Sequence, residues 1–173
     1  MKHGVMRLAL LAGTLAMSGS QPAVAQSVST DVAPGANFGA YRTYAWVNAS
    51  APQGMNPIAY QQIIADIEAA LNAKGYQKGE PADLSLVITI GTQDKTDITS
   101  WGRWGWRTDV YQYTEGQLSL DVFDTRSKQA LWHGQATRTV NPGKFNAAKA
   151  SKTVAKLMKN FPANSAAPAP GAP

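Results

Sequence analysis

Two apolar stripes at helical spacing, set among stretches whose apolar residues alternate or run on, constrain the fold of this chain most. The first stripe is Ile63, Ile64, Ile67 and Leu71, with Ala70 beside it. Its ends are marked too. Asn56 can cap the start, Pro57 suits a first turn whose N–H has no helical partner, and Gly75 supplies a left-handed stop. The second stripe is Val154, Leu157, Met158 and Phe161, in a helix expected from about Asn146 to Asn160. A helix with one apolar stripe has to bury it against another layer.

The remaining segments supply that layer. Residues 28–32 alternate apolar and polar, and residues 41–47 are rich in aromatic and β-branched types. Residues 84–90, Leu-Ser-Leu-Val-Ile-Thr-Ile, suit a central strand buried on most of its length. Residues 91–99 continue it after a bend. Leu118, Leu120 and Val122 alternate with Ser119 and Asp121. After a turn at 124–128, residues 130–138 return as the hairpin partner, with Leu120 expected opposite Trp132. The order predicts an α+β domain: a single curved, mainly antiparallel sheet of about six strands with two helices packed on one face. No internal repeat is visible. Residues 163–173 are mostly alanine and proline and predict a disordered, extended tail, so the domain is expected over 26–162.

The amino terminus predicts export. Lys2 and Arg7 precede a ten-residue apolar run (8–17), too short to cross about 30 Å of hydrocarbon as a helix. A polar, helix-breaking stretch then leads to Ala23-Val24-Ala25, which places signal-peptide cleavage after Ala25. The immediate processing site favours this over an apolar helix packed on the domain. Twin arginines are absent, so the general secretory route is expected. Removal of 25 of the 173 residues leaves 148, and loss of Lys2 and Arg7 lowers 16 basic residues to 14 against 11 acidic, a net +3. So mild a charge argues against nucleic acid as a partner. The one dense basic group, Lys144, Lys149, Lys152, Lys156 and Lys159, is expected to be a solvated helix face. With no cysteine, thiol nucleophiles, zinc–thiolate sites and lipid attachment at an amino-terminal cysteine are excluded. No second segment could cross a membrane.

Chemistry-bearing motifs are sparse. His133 is the only histidine of the expected mature chain and falls on one sheet face with Ser119 and Asp121, but no nucleophile elbow or oxyanion hole accompanies them. Asp94 and Asp97 lack calcium-loop spacing, and Asp66 and Glu68 fall off the helix stripe as solvated acids. No phosphate-cradling loop occurs. Neither a catalytic residue, a metal site nor a cofactor is therefore assigned. What stands out is the glycine-rich stretch from Ser100 to Arg107, expected to be a loop. It holds Trp101, Arg103, Trp104, Trp106 and Arg107, with Tyr111 and Tyr113 just after. Such aromatics either fold back as a satellite cluster, or stack on sugar rings or bases or insert at a membrane interface, with arginine adding cation–π contact or phosphate pairing.

Several pieces fall in a familiar order: Thr30-Asp31-Val32, Pro34-Gly35-Ala36-Asn37-Phe38, Tyr41-Arg42-Thr43-Tyr44-Ala45-Trp46, Asn56-Pro57 and Lys74-Gly75-Tyr76. Ala82-Asp83-Leu84, the tryptophan stretch, Tyr113-Thr114-Glu115-Gly116-Gln117-Leu118, Asp121 with Asp124, and Leu131-Trp132-His133-Gly134-Gln135-Ala136 follow, with Val154-Ala155-Lys156 and Phe161-Pro162 near the end. Over about residues 28–162 the chain resembles the bacterial domain-of-unknown-function family 4136. The resemblance implies a Gram-negative envelope protein and carries over no activity or catalytic residue. Members are often lipoproteins, which the missing cysteine rules out here. The expectation is a non-enzymatic soluble periplasmic or secreted binding or scaffold module, with an envelope protein or glycan as partner. The alternative is a carboxylate-based hydrolase acting on envelope polymers. Two facing acids in a deep cleft would favour that alternative.

Overall fold

The computed structural model describes residues 26–47, 50–101, 107–141 and 144–164, with backbone alone for 99–101 and 107–109. The expected signal peptide lies outside them, as do Arg103, Trp104 and Trp106. Six strands form one sheet: β1 (Ser27–Val32), β2 (Thr43–Trp46), β3 (Gln77–Lys78), β4 (Leu84–Trp101), β5 (Arg107–Asp124) and β6 (Ala130–Val140). Their order is β1-β6-β5-β4-β2-β3. Pairings of β1 with β6, β6 with β5 and β5 with β4 are antiparallel. β2 runs parallel to β3 and β4, because helix α1 (Pro57–Ala73) carries the chain back before either begins. Helix α2 (Ala147–Lys159) packs beside α1 on the same face, and both close one core.

Local chemistry explains the helix ends. The Asn56 side chain accepts N–H groups of Ile58 at 2.9 Å and Ala59 at 3.4 Å, and Asn146 accepts that of Lys149 at 2.9 Å. At the far end of α1, Gly75 turns with φ 89°. Its N–H reaches the Asn72 carbonyl while that of Tyr76 reaches Leu71, both at 3.0 Å, a Schellman closure that only a left-handed residue permits without strain.

The alternation in the sequence becomes the core. Leu84, Leu86 and Ile88 of β4, Leu118, Leu120 and Val122 of β5, and Trp132 and Ala136 of β6 are all buried under the helices. Ile63, Ile67, Leu71, Val154, Leu157 and Met158 meet them from above. The exposed lysines 152, 156 and 159 of α2 form the solvated face expected of them.

Several expectations are corrected. Residues 84–90 and 91–99 belong to one unbroken strand of 18 residues, Leu84–Trp101, and the sixth strand is instead the two-residue β3 at the sheet edge. Ser100, Trp101 and Arg107, expected in a loop, are paired strand residues. Leu120 faces Gly134 rather than Trp132, which lies opposite Val122. That slip is two residues, so every side chain keeps its face. Its cause is the turn, where Lys128 takes φ 62° and a bulge follows Val122. Glu68 is no free acid: it accepts the Trp46 indole N–H at 2.9 Å and Lys78 Nζ at 2.8 Å, tying α1 to β2 and β3. Packing also runs past Pro162 to Asn164, which is buried, donates to the Tyr41 carbonyl at 2.7 Å and accepts from Arg42.

Gly134 has a specific reason to be glycine. A β-carbon there would meet the Trp132 ring at 2.0 Å. The indole lies over its own strand, and its N–H finds no acceptor among the described residues, so this ring contributes by packing alone. Gly134→Ala is expected to cost about 1–3 kcal/mol through displacement of the ring. Thermal unfolding should show a midpoint lower by about 2–4 °C for each kcal/mol lost.

Two carboxylates hold chain turns. Asp83 accepts the backbone N–H groups of Arg42 at 2.7 Å and Thr43 at 3.0 Å, and Asp124 accepts those of Arg126 at 2.9 Å and Ser127 at 2.7 Å. These hydrogen bonds hold the Asp83 carboxyl below its ordinary 3.8; the Ser127 N–H and the Tyr41 hydroxyl do the same for Asp124. Their contribution is therefore present above the unfolded-state value and is lost as pH falls through the lowered folded-state values. A double Asp83→Asn, Asp124→Asn variant should flatten the acid limb of stability between about pH 5 and pH 2, read from urea midpoints.

Candidate functional site

Two surfaces stand apart from the core: an arm and a cleft beside its root. The last rung of β6 on β5 is Val140 opposite Thr114, whereas β4 and β5 continue for seven further pairs, from Lys95–Tyr113 to Trp101–Arg107. At about 3.3 Å per residue this two-stranded ribbon reaches about 23 Å beyond its neighbours. β2 pairs with β4 only as far as Leu86, so the ribbon has a bare backbone edge on each side among the described residues. Charged side chains on it (Lys95 and Asp97) oppose edge-to-edge association.

The arm joins some of the expected site residues. Trp101 and Arg107 close its described end as a backbone pair. Tyr111 and Tyr113 share one face, opposite Asp97 and Lys95. Desolvation, with the Asp97 and Glu115 carboxylates nearby, raises the Tyr113 phenol above its ordinary value. Tyr111 is 59% exposed, and on the other face the cross-strand pair Ile98 and Val110 is 67% and 57% exposed. These side chains serve no core.

The cleft escaped sequence reasoning. About 800 Å³ opens where the arm leaves the body, within the range of about 300–1,000 Å³ usual for ligand pockets. Its floor is the register row Ile90, Leu118 and Ala136, and Ala59 and Ile63 of α1 face Ala150 and Val154 of α2 across it. Arg138, Lys144 and Lys149 stand at the rim, and no Asp or Glu lines it. Arg138 Nη1 donates to the Lys149 carbonyl at 2.7 Å and to Thr153 Oγ1 at 3.1 Å. No ion pair among the described residues neutralises any of the three. Lys144 and Lys149 were legible only as part of a basic helix face. Nothing local in the sequence brings residues 52–59 against 138–154.

The open sheet face holds the polar row. His133 Nδ1 lies 2.6 Å from Asp121 Oδ1, with Asp31 opposite His133 on β1. Ser119 lies one rung away, buried between Gln135 and Thr89 and accepting from Gln117 Nε2 at 3.4 Å. The serine and histidine thus sit at different rungs of a paired ladder. Asp94 accepts from the Thr114 hydroxyl at 2.7 Å. Among the described residues no group of three His, Cys, Asp or Glu side chains is placed to hold a metal ion. No described helix is long and apolar enough to cross a membrane.

The family described as Domain of unknown function (DUF4136) matches residues 28–163. The chain belongs to this family. No curated protein matches the chain. Among solved structures, this DUF4136 domain is similar to a PDZ domain protein from Parabacteroides distasonis, with a TM-score of 0.53 and 17% identity over 78% of the chain. The match spans only 36% of that protein's length. It is also similar to the PelC dodecamer from Paraburkholderia phytofirmans, with a TM-score of 0.50 and 15% identity, covering 78% of this chain and 95% of that one. At these identities the likeness is one of fold.

Because Ile98, Val110 and Tyr111 project into solvent, replacing Ile98 and Val110 with serine, or Tyr111 with alanine, should shift stability by less than about 1 kcal/mol. Urea midpoints test this. A core role for the arm would show as a loss several times larger.

Proposed function

We propose that this DUF4136 protein is a non-enzymatic, soluble binding or scaffold module of the Gram-negative cell envelope. It works in the periplasm and holds an envelope protein or glycan with the aromatic end of its arm. The observation that carries this reading is the ribbon itself. Seven residue pairs extend past the last strand that supports them and expose Ile98, Val110 and Tyr111. Apolar and aromatic surface that stabilises nothing internally is the usual mark of a docking site. At the described end stand Trp101 and Arg107, flanking the stretch that contains Arg103, Trp104 and Trp106. The export signal expected of residues 1–25 supports the compartment, and the absence of cysteine favours a form without a lipid anchor.

The competing reading, a carboxylate-based hydrolase, needs two facing acids at a substrate cleft. The cleft is lined by neither Asp nor Glu, and Asp121, Asp94 and Glu68 are each committed to a neighbour elsewhere. That distribution favours binding over hydrolysis. The PelC chains of similar fold form a dodecamer, so self-association is a form of scaffolding to be measured alongside.

Periplasmic crosslinking from a photoreactive residue at position 111 tests the proposal, with light scattering to report self-association. The protein carrying that residue and otherwise unaltered should yield a discrete adduct. Trp101→Ala, Trp104→Ala and Trp106→Ala together should abolish it while leaving the thermal midpoint within about 2 °C. A large loss of stability would establish instead that the tryptophans fold back as a structural cluster.

A further inference from the structure

We infer that the cleft beside the arm is a binding site for a single-chain amphiphile with an anionic headgroup, a long-chain fatty acid being the simplest member of the class. The inference stands on the cleft alone and is independent of the arm.

The cleft has two chemically distinct zones. Its depth is aliphatic, running from Ile63 and Val154 across Ile90, Leu118 and Ala136. Small side chains (Ala59, Ala136 and Ala150) leave the space unfilled. Its rim is cationic, with Arg138, Lys144 and Lys149 converging from β6, the following loop and the first turn of α2. Among the described residues no carboxylate lines the cleft. The nearest acid on that face of the sheet is Asp94, one rung outward and held by Thr114. A cation with no ion-pair partner among the described residues, at the mouth of an apolar cavity, is complementary to an anion attached to an apolar body.

Hydrogen-bonding capacity separates an acyl chain from a peptide. Most of the floor row's backbone is enclosed by neighbouring strands: Leu118 lies between Ile90 and Ala136, and Ala136 between Leu118 and Val28, while Ile90 has a partner on one side. In the first turns of the helices, Asn56 already accepts the N–H groups of Ile58 and Ala59, and Asn146 that of Lys149. A peptide seated in the depth would bury amides with no partner, which is costly. An acyl chain asks for none. Phe145, 44% exposed beside the rim, is placed to cover the segment nearest the headgroup.

The test is displacement of a fluorescent fatty acid by oleate from the purified protein, with methyl oleate, an acidic apolar peptide and anionic vesicles run in parallel. Saturable one-to-one binding of oleate is expected, with methyl oleate at least about tenfold weaker for want of the charge. Lys144→Glu with Lys149→Glu should weaken oleate by at least about tenfold, and the second change places an acid in a helix's first turn, where folding tolerates it. Ala150→Trp, which fills the cleft from α2, should abolish binding. If that variant does not fold, the charge reversal decides by itself. Tyr111→Ala should leave oleate binding unchanged and impair only capture by the arm, so the two readings fail separately. Equal affinity for acid and ester, insensitivity to charge reversal, displacement by the peptide in preference to oleate, or vesicle sedimentation without uptake of monomeric acid would each overturn the proposal.

Discussion

The Trp132 ring lies across the backbone of Gly134 and meets Phe161 edge-on, with centroids 5.1 Å apart. Phe161 meets Phe38 and Tyr76 in the same way, each at 5.6 Å. Four rings thus join β6, the short turn after β1, the stop of α1 and the segment leaving α2. Edge-to-face contacts between large rings are directional as well as apolar, so they set the seat of each element. Burial also pushes the Tyr76 phenol up to about 12, against the opposing charge of Arg42, and its hydroxyl donates to the Pro162 carbonyl at 3.2 Å. The segment 161–164 that leaves α2 is held down by that bond and by Asn164.

Filling one end of the core with aromatics leaves the other end open. Toward the helix amino termini the facing residues are small, and the sheet continues outward as β4 and β5 without cover. The cleft and the arm both follow from this asymmetry. A long ladder needs helices only where its residues are apolar on one face. Past Ile90 and Leu118 the same face carries Thr92, Asp94, Gly116 and Thr114, which give a helix nothing to bury against. The described molecule therefore separates an aromatic anchor at one end of the core from an extended, exposed two-stranded ribbon at the other.

Many of the pieces that carry the family likeness acquire structural roles. Asp83 and Asp124 hold turns, Lys74-Gly75-Tyr76 closes a helix, and Trp132 with Gly134 forms the packing center of the sheet. Their recurrence needs no catalytic explanation. Tyr111, Tyr113, Arg138, Lys144 and Lys149 lie apart from these roles, on the arm and at the cleft.

Both helices, the cap and stop of α1 and the inward residues of the long strands were legible in the sequence, because period and capping are local properties of neighbouring residues. The open face of His133 and Asp121 was legible as well, since strand alternation survives a slip of two residues. That slip itself, the fusion of 84–99 into one strand and the edge strand β3 were not, because turn geometry and pairing partners lie outside any one segment. The cleft was invisible for a stronger reason. Its basic rim combines a strand, a loop and a helix start whose proximity exists only once two helices have docked on one sheet. By itself the sequence determined which residues turn inward; the tertiary structure alone decided where inward-facing packing stops, since that depends on the summed volumes of side chains arriving from distant elements.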